Sequence, residues 1–314
     1  MKKRWISIIL TLLALTILPG CQDAAMKEDG KLNIVATNFP GYDFARQVCG
    51  NRANITMLLP PGSESHFYEP TPQDIIAIQN CDLFIYVGGE SDTWAEGILA
   101  SMETSVPTVK MIDCVEAVYE EEIEGATKRA EESDEEDYEY DEHVWTSPLN
   151  AIQIAQAIQE SVTKADSDGA AEYKANFETF ASELQALNED FTNFWAGVEN
   201  KIMVFGDRFP LRYYADRYGI QYYAAFPGCA SQTEPSAATL VFLTKKIQEL
   251  QLPAVFYIEF SNHSIADALA EATGAETAQF NSCHNVSKEQ FDTGITYVDL
   301  MRENLQTLQK IKGY

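Results

Sequence analysis

Apolar residues along the chain occur as short continuous runs and as longer stretches with helical spacing. The short runs are bounded by Gly, Pro or Asn, which is typical of strands buried on both faces. The predicted strands cover residues 32–37, 54–59, 82–87, 108–112, 202–205, 222–226, 254–260 and 277–280. Helical patterns separate most of them, and this alternation predicts mostly parallel sheets flanked by helices. The pattern therefore predicts an α/β protein.

One helical stretch, residues 168–198, is longer than the others and divides the strands into two groups. Large apolar residues recur there at spacings of three and four and form one stripe along a helix of about thirty residues, ~45 Å long. The stripe consists of Tyr173, Phe177, Phe180, Leu184, Leu187, Phe191 and Phe194. We therefore predict an N-terminal α/β lobe (32–165), a linking helix (166–198) and a C-terminal α/β lobe (199–314), with a cleft between the lobes.

The N-terminus predicts export and lipid attachment. A basic start precedes an apolar run at residues 5–18, which is too short to span a bilayer and is typical of a signal peptide. Leu18-Pro19-Gly20-Cys21 resembles the bacterial lipobox, which implies cleavage after residue 20 and acylation of Cys21. An ordinary signal peptide followed by a chance cysteine is the alternative. We expect residues 21–31 to be a lipidated tether that holds the protein to the cell membrane from outside.

The strongly negative net charge bears on which kinds of molecule the protein can bind. The formal net charge is −26, from 48 acidic against 22 basic residues. Such a surface repels nucleic acid and attracts cations, so no nucleic-acid partner is expected. Residues 120–142 hold thirteen acidic residues and two basic ones. This segment cannot bury a core and predicts a mobile surface loop. It either attracts cations or serves only as a solvated spacer.

The chain contains four histidines, and each lies in a predicted loop next to a helix or strand. Three of them follow predicted strands, and the fourth follows the acidic segment. They are His66, His143, His263 and His284. Imidazole binds zinc, manganese and similar ions at neutral pH. Loops at the carboxyl ends of parallel strands converge, so we predict that all four bind one metal ion in the cleft. Four unrelated, solvent-exposed histidines are the alternative.

Two stretches resemble the metal-ligand motifs of the zinc/manganese-binding proteins of ABC importers, the cluster A-I substrate-binding proteins. They are Pro60-Pro-Gly-Ser-Glu-Ser-His66-Phe-Tyr-Glu-Pro-Thr-Pro-Gln-Asp74 and Asp141-Glu-His143-Val-Trp-Thr-Ser-Pro148. Residues 233–236 and 294–305 are similar to two further segments of that family. The resemblance implies two α/β lobes joined by a rigid helix and a monomer that delivers its ion to an importer permease. It also implies that His66 and His143 are ligands from the N-terminal lobe.

The C-terminal lobe departs from the family pattern. An ungapped comparison places Arg208 at the family's third ligand position and Asn281 at the fourth. Arginine cannot bind a cation, and an amide oxygen is a weak donor. We therefore predict that His263 and His284 supply this half of the site, with Asp207 as the next candidate.

The expected donors favour zinc, whereas a site with two carboxylates would favour manganese, which remains the alternative cargo. Four protein ligands in tetrahedral geometry leave no position for an activated water, so we predict a binding protein and not an enzyme. A zinc hydrolase with Glu259 as its base is a competing hypothesis, although no HExxH motif is present. A surface adhesin with a purely structural metal site is another.

Two further acidic residues and the cysteines can be read in more than one way. Glu234 reads as a helix-start residue, and Glu259 as either a hydrogen-bond partner of a ligand histidine or a member of a structural ion pair. The five cysteines after Cys21 show no CxxC spacing, which argues against a cysteine zinc cluster. Candidate disulfides are Cys229–Cys283 and, more loosely, Cys49–Cys81.

Overall fold

The strands form two parallel sheets of four strands each in the residues that the computed structural model describes, which are 30–64, 68–126, 139–228 and 234–314. The first sheet has the order β2-β1-β3-β4, with strands Leu32–Ala36 (β1), Ala53–Met57 (β2), Leu83–Tyr86 (β3) and Thr108–Lys110 (β4). The second has the order β6-β5-β7-β8, with strands Ile202–Arg208 (β5), Gln221–Phe226 (β6), Ala254–Tyr257 (β7) and Glu276–Gln279 (β8). We call these two sheets with their helices the N-lobe and the C-lobe. The predicted two-lobe α/β fold is confirmed.

Both sheets are covered by helices, which explains why their strands are continuously apolar. In β3, Leu83 and Ile85 belong to one apolar cluster, and Phe84 and Tyr86 belong to the cluster on the other face. The helices of the N-lobe are Phe39–Cys49 (α1), Pro72–Gln79 (α2), Thr93–Ser101 (α3) and Pro148–Ala165 (α4), followed by the long helix Ala170–Ala196 (α5). Those of the C-lobe are Arg212–Tyr218 (α6), Ala237–Leu250 (α7), Ser264–Thr273 (α8), Lys288–Asp292 (α9) and Tyr297–Lys310 (α10).

Helix α5 has 27 residues and is therefore about 40 Å long. Most of its predicted apolar stripe is buried, with Phe177 and Phe194 only partly covered. The helix packs against α1 and α4 of the N-lobe and against α6 and α10 of the C-lobe. One continuous element thus connects the two lobes.

Local sequence explains where several helices begin. Thr71 and Asp74 form a capping box at the start of α2. Helix α7 begins later than predicted, because Ser236 is its N-cap and accepts a hydrogen bond from the backbone N–H of Thr239. Glu234 therefore lies before the helix and is not part of its first turn.

Helix α4 was not predicted, although it has 18 residues. Its buried face consists of alanine and aliphatic residues that follow Pro148, namely Ala151, Ile154, Ala155, Ile158 and Val162. Pro148 at its first turn was a usable start signal. In the described part of the chain, no helix combines the length and the apolar character needed to cross a membrane.

Buried hydrogen bonds join the lobes near the carboxyl ends of the strands. Trp145 of the N-lobe donates from its indole N–H to the carbonyl of Ser282, at 2.8 Å. Tyr297 of the C-lobe donates its hydroxyl to the carbonyl of Trp145, at 2.7 Å, and its backbone N–H to the carboxylate of Asp43, also at 2.7 Å. Because Asp43 is fully buried, burial raises its pKa, while Arg46 offsets part of that shift.

A second set of cross-lobe bonds involves the backbone just after His284. The N–H of Gly62 donates to the carbonyl of Val286, at 2.8 Å. The side-chain amide of Asn285 donates to the carbonyls of Pro60 and Ser63, at 2.8 and 2.9 Å. The C-lobe chain after β8 is therefore fastened to the N-lobe loop after β2.

The candidate disulfide between Cys49 and Cys81 is wrong, since both are free thiols in apolar clusters on opposite faces of the first sheet. Burial raises the pKa of each thiol to about 12. Cys283 is also a free, buried thiol, so it forms no bridge, and Cys229 lies outside the described residues.

Candidate metal site

His143 lies in the short turn between the acidic segment and α4, and its imidazole is only 1% exposed. One carboxylate oxygen of Asp141 accepts the backbone N–H of His143 at 2.9 Å and lies 3.1 Å from its Nδ1. A carboxylate on Nδ1 fixes the ring and leaves Nε2 as the nitrogen suited to bind a metal. This arrangement supports the prediction that His143 is a ligand of the N-lobe.

The acidic residues around His143 are part of the folded core and not of a solvated loop. Asp141 and Glu142 are buried, and the carboxylate of Glu142 accepts the hydroxyl of Ser91 at 2.6 Å. Burial by itself lowers the pKa of His143, but the carboxylates of Asp141, Glu142 and Glu120 together raise it above 6.5. A metal ion that binds His143 must therefore displace a more firmly held proton. Residues 127–138 of the predicted loop lie outside the described residues.

His284 lies in the turn that follows β8, and Glu259 organises this turn. The carboxylate of Glu259 accepts the N–H and the hydroxyl of Ser282, both at 2.6 Å, and the backbone N–H of His284 at 3.1 Å. Cys283 between them has a left-handed backbone with φ 61°. Burial raises the pKa of Glu259, and the bonds from Ser282 oppose that shift. Glu259 thus positions His284 through its backbone.

The two histidines meet across the lobes. Their ring centroids are 5.9 Å apart, and the rings are nearly perpendicular, at 82°. The ring of His284 also packs against Trp145, with centroids 5.1 Å apart. The carbonyl of His284 accepts the N–H of Phe39 at 3.3 Å, which ties the turn to the start of α1. Two imidazoles that are distant in sequence therefore lie at one place.

Both rings line a small cavity between the lobes, with Glu64, Arg208 and Glu259 among its other walls. The cavity volume of about 20 Å³ is enough for one water molecule or one ion. Gly228 borders the cavity, and a Cβ placed there would lie 3.5 Å from Cε1 of His143 and 3.1 Å from the carbonyl of Phe209. A side chain at this position would crowd the carbonyl of Phe209, whereas its contact with the ring of His143 would be an ordinary one.

His263 does not line this cavity, so the structure does not bring it together with His143 and His284. It is the residue before α8, has a left-handed backbone with φ 46°, and is 49% exposed. Its Nδ1 lies 2.7 Å from the carboxylate of Asp267, and its ring packs on Tyr257. The tight turn into the helix directs this histidine to a partner in its own helix.

The other candidate residues of the C-lobe are also bound elsewhere. The carboxylate of Asp207 accepts the backbone N–H groups of Arg208 and Ile258, at 2.8 and 3.3 Å. The side chain of Asn281 accepts the amide N–H of Gln279 at 2.8 Å. Asp207 and Asn281 do not line the cavity, so neither replaces His263.

His66 lies outside the described residues, so the structure does not place it. Within the four described ranges, no group of three or more His, Cys, Asp or Glu side chains is arranged to hold a metal ion. The described residues therefore provide two imidazoles of a site that would need at least one further ligand.

Comparison with known proteins identifies the family. A sequence profile described as the zinc-uptake complex component A, periplasmic (ZnuA), matches residues 34–311. The chain belongs to this family. It is a family of transport components, which confirms the predicted resemblance and the prediction that the chain is not an enzyme.

ZnuA relatives with assigned names show how far the likeness extends. The chain is 31% identical over 312 residues to the zinc-binding lipoprotein AdcA of Streptococcus pneumoniae, covering 99% of this chain but only 61% of AdcA. It is 30% identical to the high-affinity zinc uptake system protein ZnuA of Bacillus subtilis, covering 98% of both chains. A crystal structure of the Zn(II)-bound ZnuA-like domain of AdcA matches with a TM-score of 0.73 and 27% identity, over 91% of this chain and all of that one.

Against the ZnuA pattern, sequence reasoning missed one feature of the cavity, the ion pair between Glu64 and Arg208. The guanidinium of Arg208 binds the carboxylate of Glu64 at 2.5 Å. Glu64 lies in the stretch that resembles the first ligand motif, and the ungapped comparison places Arg208 at a ligand position. The sequence analysis therefore drew attention to both positions. That the two side chains would pair across the lobes required the fold.

Proposed function

We propose that this protein captures Zn²⁺ outside the cytoplasmic membrane and delivers it to the permease of an ABC-type importer. The observation that carries the proposal is the meeting of His143 and His284 in an ion-sized cavity between the lobes. Membership of the zinc-uptake family and the names of the relatives, which bind zinc, support the choice of ion. Two of the proposed ligands are imidazoles, and the carboxylates that line the cavity, Glu64 and Glu259, are bonded to Arg208 and Ser282. This donor set favours zinc over manganese.

The proposed ligands are His66, His143 and His284. His66 is included because Glu64, two residues before it, lines the same cavity. His263 is left out because it is half-exposed and paired with Asp267. Three imidazoles leave one position of a tetrahedral shell for a small ligand such as water, so a closed shell no longer excludes an enzyme. The prediction of a binding protein then rests on membership of the zinc-uptake family.

Attachment and assembly complete the proposal. The lipobox-like sequence that ends at Cys21 supports acylation of that residue and an anchor in the cell membrane, as in relatives named lipoproteins. We propose that the protein acts as a monomer, with 32–165 and 199–314 as its lobes and 166–198 as the link. In this arrangement, docking on the permease brings the cavity to the entrance of the transport path.

A competition titration with a fluorescent zinc chelator tests the ligand set. His143→Ala and His284→Ala should each weaken zinc binding by about a hundredfold or more, because each removes one bond of the shell. His263→Ala is the matched control and should bind zinc as the wild type does. Crystals soaked in zinc, with anomalous scattering measured at the zinc and manganese edges, would identify the bound ion and its ligands.

Two results would contradict this proposal. One is a wild-type protein that does not compete with the chelator for zinc. The other is a His143→Ala variant that retains wild-type affinity while its melting temperature shows that it is folded.

A further inference from the structure

We infer that Arg208 sets the metal affinity of the site: it is a fixed positive charge on the cavity wall, neutralised by Glu64 of the other lobe, against which the cation must bind. This inference rests on the proposed function and concerns the same cavity. It starts from the position of Arg208 at the carboxyl end of β5 and from its side chain in the cavity lining.

The pair is well placed to act on an ion in the cavity. Arg208 is 15% exposed and Glu64 is 37% exposed, so solvent screens the guanidinium poorly and the carboxylate somewhat more. Arg208, His143 and His284 line one cavity of about 20 Å³, so an ion held by the two rings would share that cavity with the guanidinium charge. Like charges repel, and arginine cannot lose its proton to relieve the repulsion.

Glu64 has the opposite effect. It offsets the charge of Arg208, and because it belongs to the N-lobe, the ion pair also holds the two sides of the cavity together. The net electrostatic effect on a bound cation is then the difference between its repulsion from Arg208 and its attraction to Glu64. Removing either partner alone should shift affinity strongly, and in opposite directions.

The test is a double-mutant cycle read by zinc competition titration on the purified protein. Arg208→Gln should tighten zinc binding by about tenfold to a hundredfold, since it removes the repulsion and leaves Glu64 free to attract the ion. Glu64→Gln should weaken binding by a similar factor. The zinc affinity of the double variant should return to within about threefold of the wild-type affinity. Effects of the two substitutions on other contacts account for the remaining difference.

Two single variants serve as controls. Arg208→Lys keeps the charge and should bind zinc within about threefold of the wild type, if charge is the operative property. Arg212→Gln removes a nearby guanidinium that pairs with Glu121 and Asp216 outside the cavity, and should leave affinity unchanged. Melting temperatures of the metal-free proteins complete the set, because a merely structural pair would lower stability and affinity together in both single variants.

The outcomes separate the two claims. Zinc binding by the wild type that is lost in His143→Ala, together with tighter binding by Arg208→Gln, supports both. Wild-type binding with no gain, or a loss, in Arg208→Gln overturns the inference about Arg208 and leaves the proposed function standing. Absence of zinc binding in the wild type and in Arg208→Gln alike overturns the proposed function, and the inference with it.

Discussion

The two halves of the cavity hold their histidines in different ways. In the N-lobe half, the carboxylate of Asp141 lies against Nδ1 of the buried His143. In the C-lobe half, Glu259 accepts the backbone N–H of His284 and fixes the turn that carries it, and Arg208 lines the same cavity. One imidazole is thus positioned through its ring and the other through its backbone.

A closer comparison is available between two histidine–carboxylate pairs, one in each lobe. His143 with Asp141 is buried at the cavity, whereas His263 with Asp267 lies half-exposed at the start of α8. The pairs have similar distances, 3.1 and 2.7 Å, so distance alone does not mark a metal ligand. Burial and convergence with a second ring distinguish the first pair.

The largest effect expected in this comparison comes from the carboxylates of the two pairs. Asp141→Asn should weaken zinc binding by about tenfold to a hundredfold, because the ring of His143 loses the acceptor that orients it. Asp267→Asn should leave zinc binding unchanged. A chelator competition titration of both variants measures the difference. Equal losses in the two would show that the His263 pair also belongs to the site.

A smaller effect is expected at the turn that carries His284. Glu259→Gln replaces an acceptor of three hydrogen bonds with an amide whose NH₂ group must face one of the donors. Zinc affinity should fall by about tenfold, the low end of what the loss of a supporting contact causes. Glu276→Gln, at an exposed position in β8, is the control and should bind normally. Unchanged affinity in Glu259→Gln would mean that the turn holds its shape without the carboxylate.

The smallest effect concerns stability and a buried carboxylate of the N-lobe. Burial raises the pKa of Asp92 to about 6, while its hydrogen bonds from Val87 and Thr37 oppose that shift. The folded state therefore holds this proton more firmly than the unfolded chain does. Its contribution to stability is full below pH of about 4 and is lost as the pH rises through about 6.

Thermal melts across that window measure the effect. Asp92→Asn cannot titrate, so its melting temperature should lack this component. The difference between variant and wild type should move by a few degrees in favour of the variant as the pH rises from about 4 to about 7. A difference that stays constant with pH would show that the pKa of Asp92 is not raised in the folded protein.

The apolar pattern was sufficient to predict the sheets and the long helix, because buried strands and a continuous helical stripe leave direct periodic signals. Helix α4 was missed although its buried residues have helical spacing; two of the six are alanine, which is common on both surfaces and interiors. Helix α7 begins at Ala237, and not at Glu234, because the hydroxyl of Ser236 completes the cap. Such a choice between neighbouring start signals depends on local geometry.

The site was predictable in part for a related reason. The motif that contains His143 and the position of His284 after a strand pointed to two rings that the structure brings together. The same rule about strand ends also pointed to His263, which lies elsewhere, because the rule does not say which way the following turn faces. The left-handed backbone at His263 and the hold of Glu259 on the His284 turn decide between the two. Neither can be read from residue types alone.

The backbone bonds from Gly62 to Val286 and from Phe39 to His284 have a consequence for unloading. The segment that carries the imidazole of the C-lobe also forms backbone hydrogen bonds to the N-lobe. A docking partner that separates the lobes would break these hydrogen bonds and move His284 away from the ion at the same time. Under the proposed function, this one separation of the lobes would be enough to release the ion.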